Sequence, residues 1–272
     1  MNAILFPVLI VAGIGLLAGA LLAVLSKIMA VPVDEKEEAI TEALPGANCG
    51  ACGFSGCSGY AAALSKGETK DTGLCAPGGS EVSAQIAEIM GLAASTITPM
   101  AAVVRCMGTD DCANKKMVYS GVESCKMAAQ LFGGDKSCIY GCLGLGDCQR
   151  ECPYDAINIC NGVAIVSPEL CKACKRCVAA CPKNLIELMP KEDIKAAVLC
   201  RNHDKGALTK KECSAGCLGC TKCVKTCPEG AISMDNLCAV VDYDKCTACG
   251  QCVSACPNGT IKLLNESKEC KV

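Results

Sequence analysis

Cys171-Lys172-Ala173-Cys174-Lys175-Arg176-Cys177-Val178-Ala179-Ala180-Cys181-Pro182 is the stretch that decides how this chain is read. Thiols at C-x2-C-x2-C-x3-C-P spacing sit too tightly to pair readily with one another, but they can converge on one inorganic body. Such a run holds iron–sulfur cubes: the first three thiols grip one cube, and the fourth, just before proline, crosses to a neighbouring cube. The run recurs at Cys217, Cys220, Cys223 and Cys227-Pro228, and again at Cys246, Cys249, Cys252 and Cys256-Pro257. Because the fourth thiol crosses, the motifs must come in pairs.

The last two runs pair with each other, so the run at Cys171 needs a partner. The segment Cys138-x3-Cys142-x5-Cys148-x3-Cys152-Pro153 supplies it when aligned on its proline. Leu145 stands where the middle cysteine should be, and Cys138 is the nearest upstream substitute. The tails agree: Asp155-Ala156-Ile157 matches Gly230-Ala231-Ile232. Each tail leads into a short apolar hairpin, 156–159 with 163–166 and 231–234 with 239–242. The crossing rule then gives four sets. Unit one holds Cys138, Cys142, Cys148 with Cys181, and Cys171, Cys174, Cys177 with Cys152. Unit two holds Cys217, Cys220, Cys223 with Cys256, and Cys246, Cys249, Cys252 with Cys227. Helices are expected after each Cys-Pro, with small sheets outside.

A fifth set lies upstream in Asn48-Cys49-Gly50-Ala51-Cys52-Gly53-Phe54-Ser55-Gly56-Cys57, completed by Cys75-Ala76-Pro77. The glycines let the backbone curl so that its amides face a cluster. Helices are expected over 33–44 and 58–66. Four thiolates suit zinc as well as a cube, but zinc knuckles repeat C-x2-C, and the repeat is missing here. Five [4Fe-4S] clusters account for twenty of the 28 cysteines. Among the rest, Cys106, Cys125, Cys200 and Cys213 form a candidate sixth set. Cys106 and Cys200 precede the two units alike, and Cys213-x3-Cys217 mirrors Cys138-x3-Cys142. Cys112 is left without a role; Cys160, Cys238 and Cys270 read as packing residues.

Composition agrees with a metal-filled interior. The chain has 272 residues with no Trp, three Phe and five Tyr, so cysteines and small residues replace the usual large core side chains. A net charge of -2 excludes a nucleic-acid footprint, and a single His (His203, read as a surface loop residue) excludes His-based metal or acid–base chemistry. Disulfide scaffolds of this cysteine density are short secreted chains; this one is long and its cysteines are clustered.

Met1 to Ser26 carries no charged side chain. As a helix, Ala3 to Ser26 is about 36 Å long, enough for a hydrocarbon core of about 30 Å. It lacks the basic start and short apolar run of a secretory signal, so an uncleaved anchor is expected. Gly13, Gly15 and Gly19 form a small-residue stripe along it. Lys27, the first charge, places the remainder on the cytoplasmic side of the cell membrane. The expected fold is α+β: a transmembrane helix, a small helical 4Fe-4S module and two bacterial ferredoxin-like 2[4Fe-4S] units. The boundaries expected are an anchor at 1–30, the module at 33–93, a connector at 100–137, unit one at 138–190, a second connector at 191–212 and unit two at 213–265.

An anchor, then Cys49-Gly50-Ala51-Cys52-Gly53-Phe54-Ser55-Gly56-Cys57 with Cys75-Ala76-Pro77-Gly78-Gly79, then ferredoxin motifs, resembles the B subunit of the Rnf electron transport complex. The segment Gly133-Gly134-Asp135-Lys136-Ser137-Cys138-Ile139-Tyr140-Gly141-Cys142-Leu143-Gly144 is similar to the longer, clostridial-type form. The resemblance implies an ion-translocating ferredoxin:NAD oxidoreductase, driving sodium ions or protons. In it this subunit takes electrons from soluble ferredoxin and passes them to membrane partners. Lys172, Lys175, Arg176 and Lys183 form a basic rim, with no acid until Glu187, that would steer an acidic ferredoxin. The alternatives are a polyferredoxin subunit of another membrane oxidoreductase, or of a complex reducing a redox regulator, and a zinc or disulfide scaffold. No G-x-G-x-x-G follows a strand, so NAD chemistry belongs to another subunit.

Overall fold

A computed structural model describes residues 2–28, 34–191 and 195–264; side chains of 2–11 and 26–28 lie outside the description. Helix α1 runs Asn2–Ile28. Among the described residues no helix is long and apolar enough to cross a membrane, and the span expected over 3–26 lies partly outside them. The described side chains of α1 are apolar and bare: Leu16 is 77% exposed and Leu17 75%.

The first module is three helices. α2 (Glu35–Ala43) starts at Asp34, whose carboxylate accepts from the Lys36 amide, and its first turn carries Glu35, Glu37 and Glu38, the sign that the helix dipole favours there. α3 (Cys57–Ser65) and α4 (Gly79–Met90) pack against it, burying Ile40, Tyr60, Leu64 and Ile86. Tyr60 keeps its hydroxyl satisfied by donating to Asp71 O at 2.7 Å. Burial pushes its phenol up to about 12.

The rest of the chain repeats one plan. β1 (Met100–Val104) pairs antiparallel with β4 (Ile186–Pro190), and a hairpin of β2 (Ile157–Cys160) with β3 (Val163–Val166) lies between them in sequence. Likewise β5 (Ala196–Val198) pairs with β8 (Ile261–Leu263) around the hairpin of β6 (Ile232–Asp235) and β7 (Cys238–Val241). Both units therefore begin with an incoming strand, at 100 and 196, rather than at 138 and 213. The expected connectors are parts of the units, because each supplies the strand that closes its sheet.

The short helices precede the Cys-Pro steps instead of following them: α7 (Arg176–Ala180), α9 (Lys222–Thr226) and α10 (Gln251–Ala255) each end at the cysteine. Proline pushes the residue before it out of the helical region, and Cys181, Cys227 and Cys256 are all extended. Glycine is required where each unit's hairpin crosses its cysteine loop. Gly144 (φ +70°) and Gly219 (φ +64°) occupy equivalent places, and a Cβ there would sit 2.5 Å from Gly162 O and 2.7 Å from Leu237 O. Gly219→Ala should destabilise unit two by more than about 1 kcal/mol, read as a lowered denaturation midpoint of the loaded protein.

Arg105 clasps the units together. The residue is 7% exposed, and its guanidinium donates to Val198 O at 3.1 Å, to Cys200 O and Ala239 O at 3.4 Å each, and pairs with Glu187 at 3.3 Å. Tyr243 of unit two donates to the other oxygen of Glu187 at 3.0 Å.

Candidate metal centres

In the first module, Cys49, Cys52 and Cys57 gather around buried Cys75, whose thiol is pushed up by burial and by those three neighbours. Asn48, at φ 45°, turns the loop and accepts the Cys57 amide at 2.9 Å, so this loop closes on itself.

In unit two, one cavity is lined by Cys217, Cys220, Cys223 and Cys256, and another by Cys227, Cys246, Cys249 and Cys252. The cysteine before each proline thus sits with the other run's triplet. In unit one, Cys171, Cys174 and Cys152 surround Cys177, whose thiol burial pushes up to about 12. Its sister set is different from the expected one. Buried Cys148, pushed up to about 12 by burial, faces Cys142, Cys125 and Cys181.

Cys125 therefore stands where Cys138 was expected. The cause is local. α5 (Cys125–Gln130) is capped by Ser124, and Asp147 at the start of α6 (Asp147–Arg150) accepts from both the Ser124 hydroxyl and the Lys126 amide at 3.0 Å. These bonds tie the start of α5 to the start of α6, so that Cys125 acts on the Cys148 thiol. Burial works against the Asp147 carboxylate, but they keep its pKa below the ordinary range.

Cys138 goes elsewhere. One cavity between the units is lined by Cys106 and Cys138 from unit one and by Cys200 and Cys213 from unit two. Cys106 and Cys200 each lie two residues beyond an incoming strand, and Cys138 and Cys213 each lie four residues before the first cysteine of a triplet site. The site is therefore built as two equivalent halves. Backbone amides aim at its sulfurs: Gly108 and Cys142 donate to Cys106 Sγ, and Asn202 and Cys217 to Cys200 Sγ, all at 3.4 Å. The Asn202 side chain adds a bond to Cys138 Sγ at 3.4 Å. Gly108 lies beside the set: a Cβ there would stand in ordinary contact, 3.5 Å from both Cys106 Sγ and Cys213 Sγ.

These sets fit iron–sulfur cubes. All 24 thiols are free, they come in fours, and amides point at their sulfurs as potential-setting donors do. Among the described residues no group of three or more His, Cys, Asp or Glu side chains is drawn close enough to hold one metal ion. Of the remaining cysteines, Cys238 is 1% exposed. Its hydrogen bonding holds the thiols of Cys200 and Cys217 down. Cys160 is disulfide-bonded rather than a plain packing residue, and Cys270 lies outside the described residues.

The four cations of the basic rim sit in different surroundings: Lys172 and Lys175 are exposed, Arg176 and Lys183 half-buried. Lys183 donates to Gly133 O at 2.8 Å and Ile139 O at 2.6 Å. Lys175 and Arg176 line a cleft of about 990 Å³ whose other wall includes Cys49 and Gly50 of the first module. Only Lys172 of the four lies outside both arrangements. Across that cleft Cys49 comes near enough to Cys174 to act on its charge. His203 sits in a loop, its Nδ1 2.9 Å from Asn236 O.

Family models match in three places: a putative Fe-S cluster over residues 44–77, a 4Fe-4S dicluster domain over 170–231 and a 4Fe-4S binding domain over 239–262. The B subunit of the Na(+)-translocating ferredoxin:NAD(+) oxidoreductase complex of Acetobacterium woodii is 43% identical over 90% of this chain and 74% of its own length. The B subunit of the ion-translocating oxidoreductase complex of Methanosarcina acetivorans is 38% identical over 87% and 89%. That of the proton-translocating ferredoxin:NAD(+) oxidoreductase complex of Clostridium ljungdahlii is 39% identical over 90% and 87%. This chain belongs to the family of those B subunits. Within the family its Cys-rich body is an iron–sulfur electron-transfer subunit. The dicluster match spans both units, pairing runs by spacing, whereas the fold pairs Cys181 with Cys148 and Cys227 with Cys252.

Proposed function

We propose that this chain is the membrane-anchored relay of an ion-translocating ferredoxin:NAD oxidoreductase, holding six [4Fe-4S] clusters in single file. The observation that carries the file is the set at the unit boundary. Cys142 and Cys217, each a ligand of a neighbouring set, donate their amides to Cys106 Sγ and Cys200 Sγ, so this set touches unit one on one side and unit two on the other. When bound, each cluster takes up and releases one electron.

The order of sets is then Cys227/246/249/252, Cys217/220/223/256, Cys106/138/200/213, Cys125/142/148/181, Cys152/171/174/177 and Cys49/52/57/75. The chain's own residues hold the thiols, bury eleven of the 24 and aim amides at sulfurs; none acts as acid, base or nucleophile. The bare apolar side chains of α1 suit lipid and partner subunits, and on this reading the first module lies nearest the cytoplasmic face of the membrane. NAD chemistry lies on another subunit.

Ferredoxin docks at the far end, on unit two. Cys220 and Cys249 are the exposed members of the described free cysteines, and the exposed Lys222 and Lys225 flank the first of them. Reduced ferredoxin added to the anaerobic, purified complex should reduce its clusters; failure to do so would reject the relay reading. Lys222→Glu with Lys225→Glu should slow that reduction about tenfold at low ionic strength and little at high salt, as steering predicts. Lys172→Glu should leave it unchanged, and the opposite pattern would return docking to the Cys171 rim.

A further inference from the structure

Lys136 is 1% exposed, and it is the one buried lysine among the described residues. Its ammonium donates to Gly108 O at 2.7 Å and to Gly162 O at 2.8 Å. No carboxylate pairs with it among the described residues, in contrast to Arg105, whose buried charge meets Glu187. An ammonium removed from water is tolerated when a negative charge compensates it, and two carbonyl dipoles are weak compensation.

The missing charge has an address. Lys136 lines the same cavity as Cys106, Cys138, Cys200 and Cys213. Its charge also bears on the thiols of Cys106 and Cys142, which belong to that set and to its unit-one neighbour. A cube held by four thiolates is anionic, and it becomes more so on reduction. A fixed positive charge beside it therefore favours the reduced form, and net charge is one of the levers that set such potentials.

We propose that the Lys136 ammonium is the built-in counter-ion of the cube held by Cys106, Cys138, Cys200 and Cys213 and raises that cube's reduction potential. The proposal rests on the reading that this set holds a cube. The step this charge would favour is the entry of one electron from a neighbouring cube, with no bond formed or broken. The boundary between the units thereby becomes a place where an arriving electron is held, which discourages its return toward the donor.

The test is a redox titration followed by electron paramagnetic resonance, with iron content measured on the same full-length samples. Lys136→Met removes the charge, Lys136→Gln removes it while keeping a hydrogen-bond donor, and Lys136→Arg keeps it. Met and Gln variants with full iron should show one midpoint moved negative, by at least a tenfold change in electron sharing, about 59 mV for one electron. The Arg variant should stay near the parent. Loss of this cube alone in Met and Gln, with retention in Arg, would equally mark the charge as its counter-ion. Full iron with unchanged midpoints, or loss of cubes throughout the chain in both neutral variants, would overturn the proposal. Failure of the underlying reading looks different: Cys106→Ser and Cys200→Ser would then leave the parent's iron content untouched.

Discussion

Replacing Cys138 with Ser should remove the cube between the units and leave unit one intact, while replacing Cys125 with Ser should do the reverse. Iron in each variant should fall from about 24 to about 20 atoms per chain, four per cube, so counting alone does not separate them. The spectra do. In Cys138→Ser the signals of both ferredoxin-like units persist, yet reduction entering at unit two no longer reaches the Cys49 module. In Cys125→Ser the lost signal is the one coupled to the neighbouring cube of unit one, since Cys125 faces Cys148 and Cys181. If Cys138→Ser instead disturbed the coupling inside unit one, the assignment of these two thiols would be reversed.

Arg105→Met should have the largest effect on stability. The guanidinium is nearly dry and holds three carbonyls of unit two while pairing with Glu187 of unit one. Breaking a buried pair from one side typically costs about 3–5 kcal/mol. The Glu187 side chain keeps 28% of its exposure, so the lower end, about 3 kcal/mol, is the expectation. Denaturation of the loaded protein should split into two transitions as the units lose their clasp, with the iron of the shared site released in the first. A single transition at the parent's midpoint would show that the clasp is dispensable.

Much of this was legible in the sequence, for a physical reason. The C-x2-C-x2-C-x3-C-P runs act over a few residues, so their spacing reports their geometry directly, and the crossing rule carries Cys256 and Cys227 to their places. The hairpins could be read because apolar alternation and a tight turn act equally locally. The choice between Cys125 and Cys138 is not local in that sense. Leu145 leaves a gap that either thiol could fill, and nearness along the chain favours Cys138. The usable sign was Cys213-x3-Cys217, the same spacing in a unit with no gap to fill, which implies that Cys138 and Cys213 share some other duty. The short helices lie before Cys-Pro, not after it as expected, because proline acts on its predecessor and so ends a helix there. Arg105 and Lys136 gave no signal at all: whether a cation is buried depends on what folds over it.

Because each half of the boundary site contributes two cysteines, neither half can retain that cofactor alone, and the joint behaves like a fuse. With the proposed six cubes, oxidative loss of this one would leave some five-sixths of the protein's colour and a nearly normal appearance. Conduction from one end to the other would nevertheless stop.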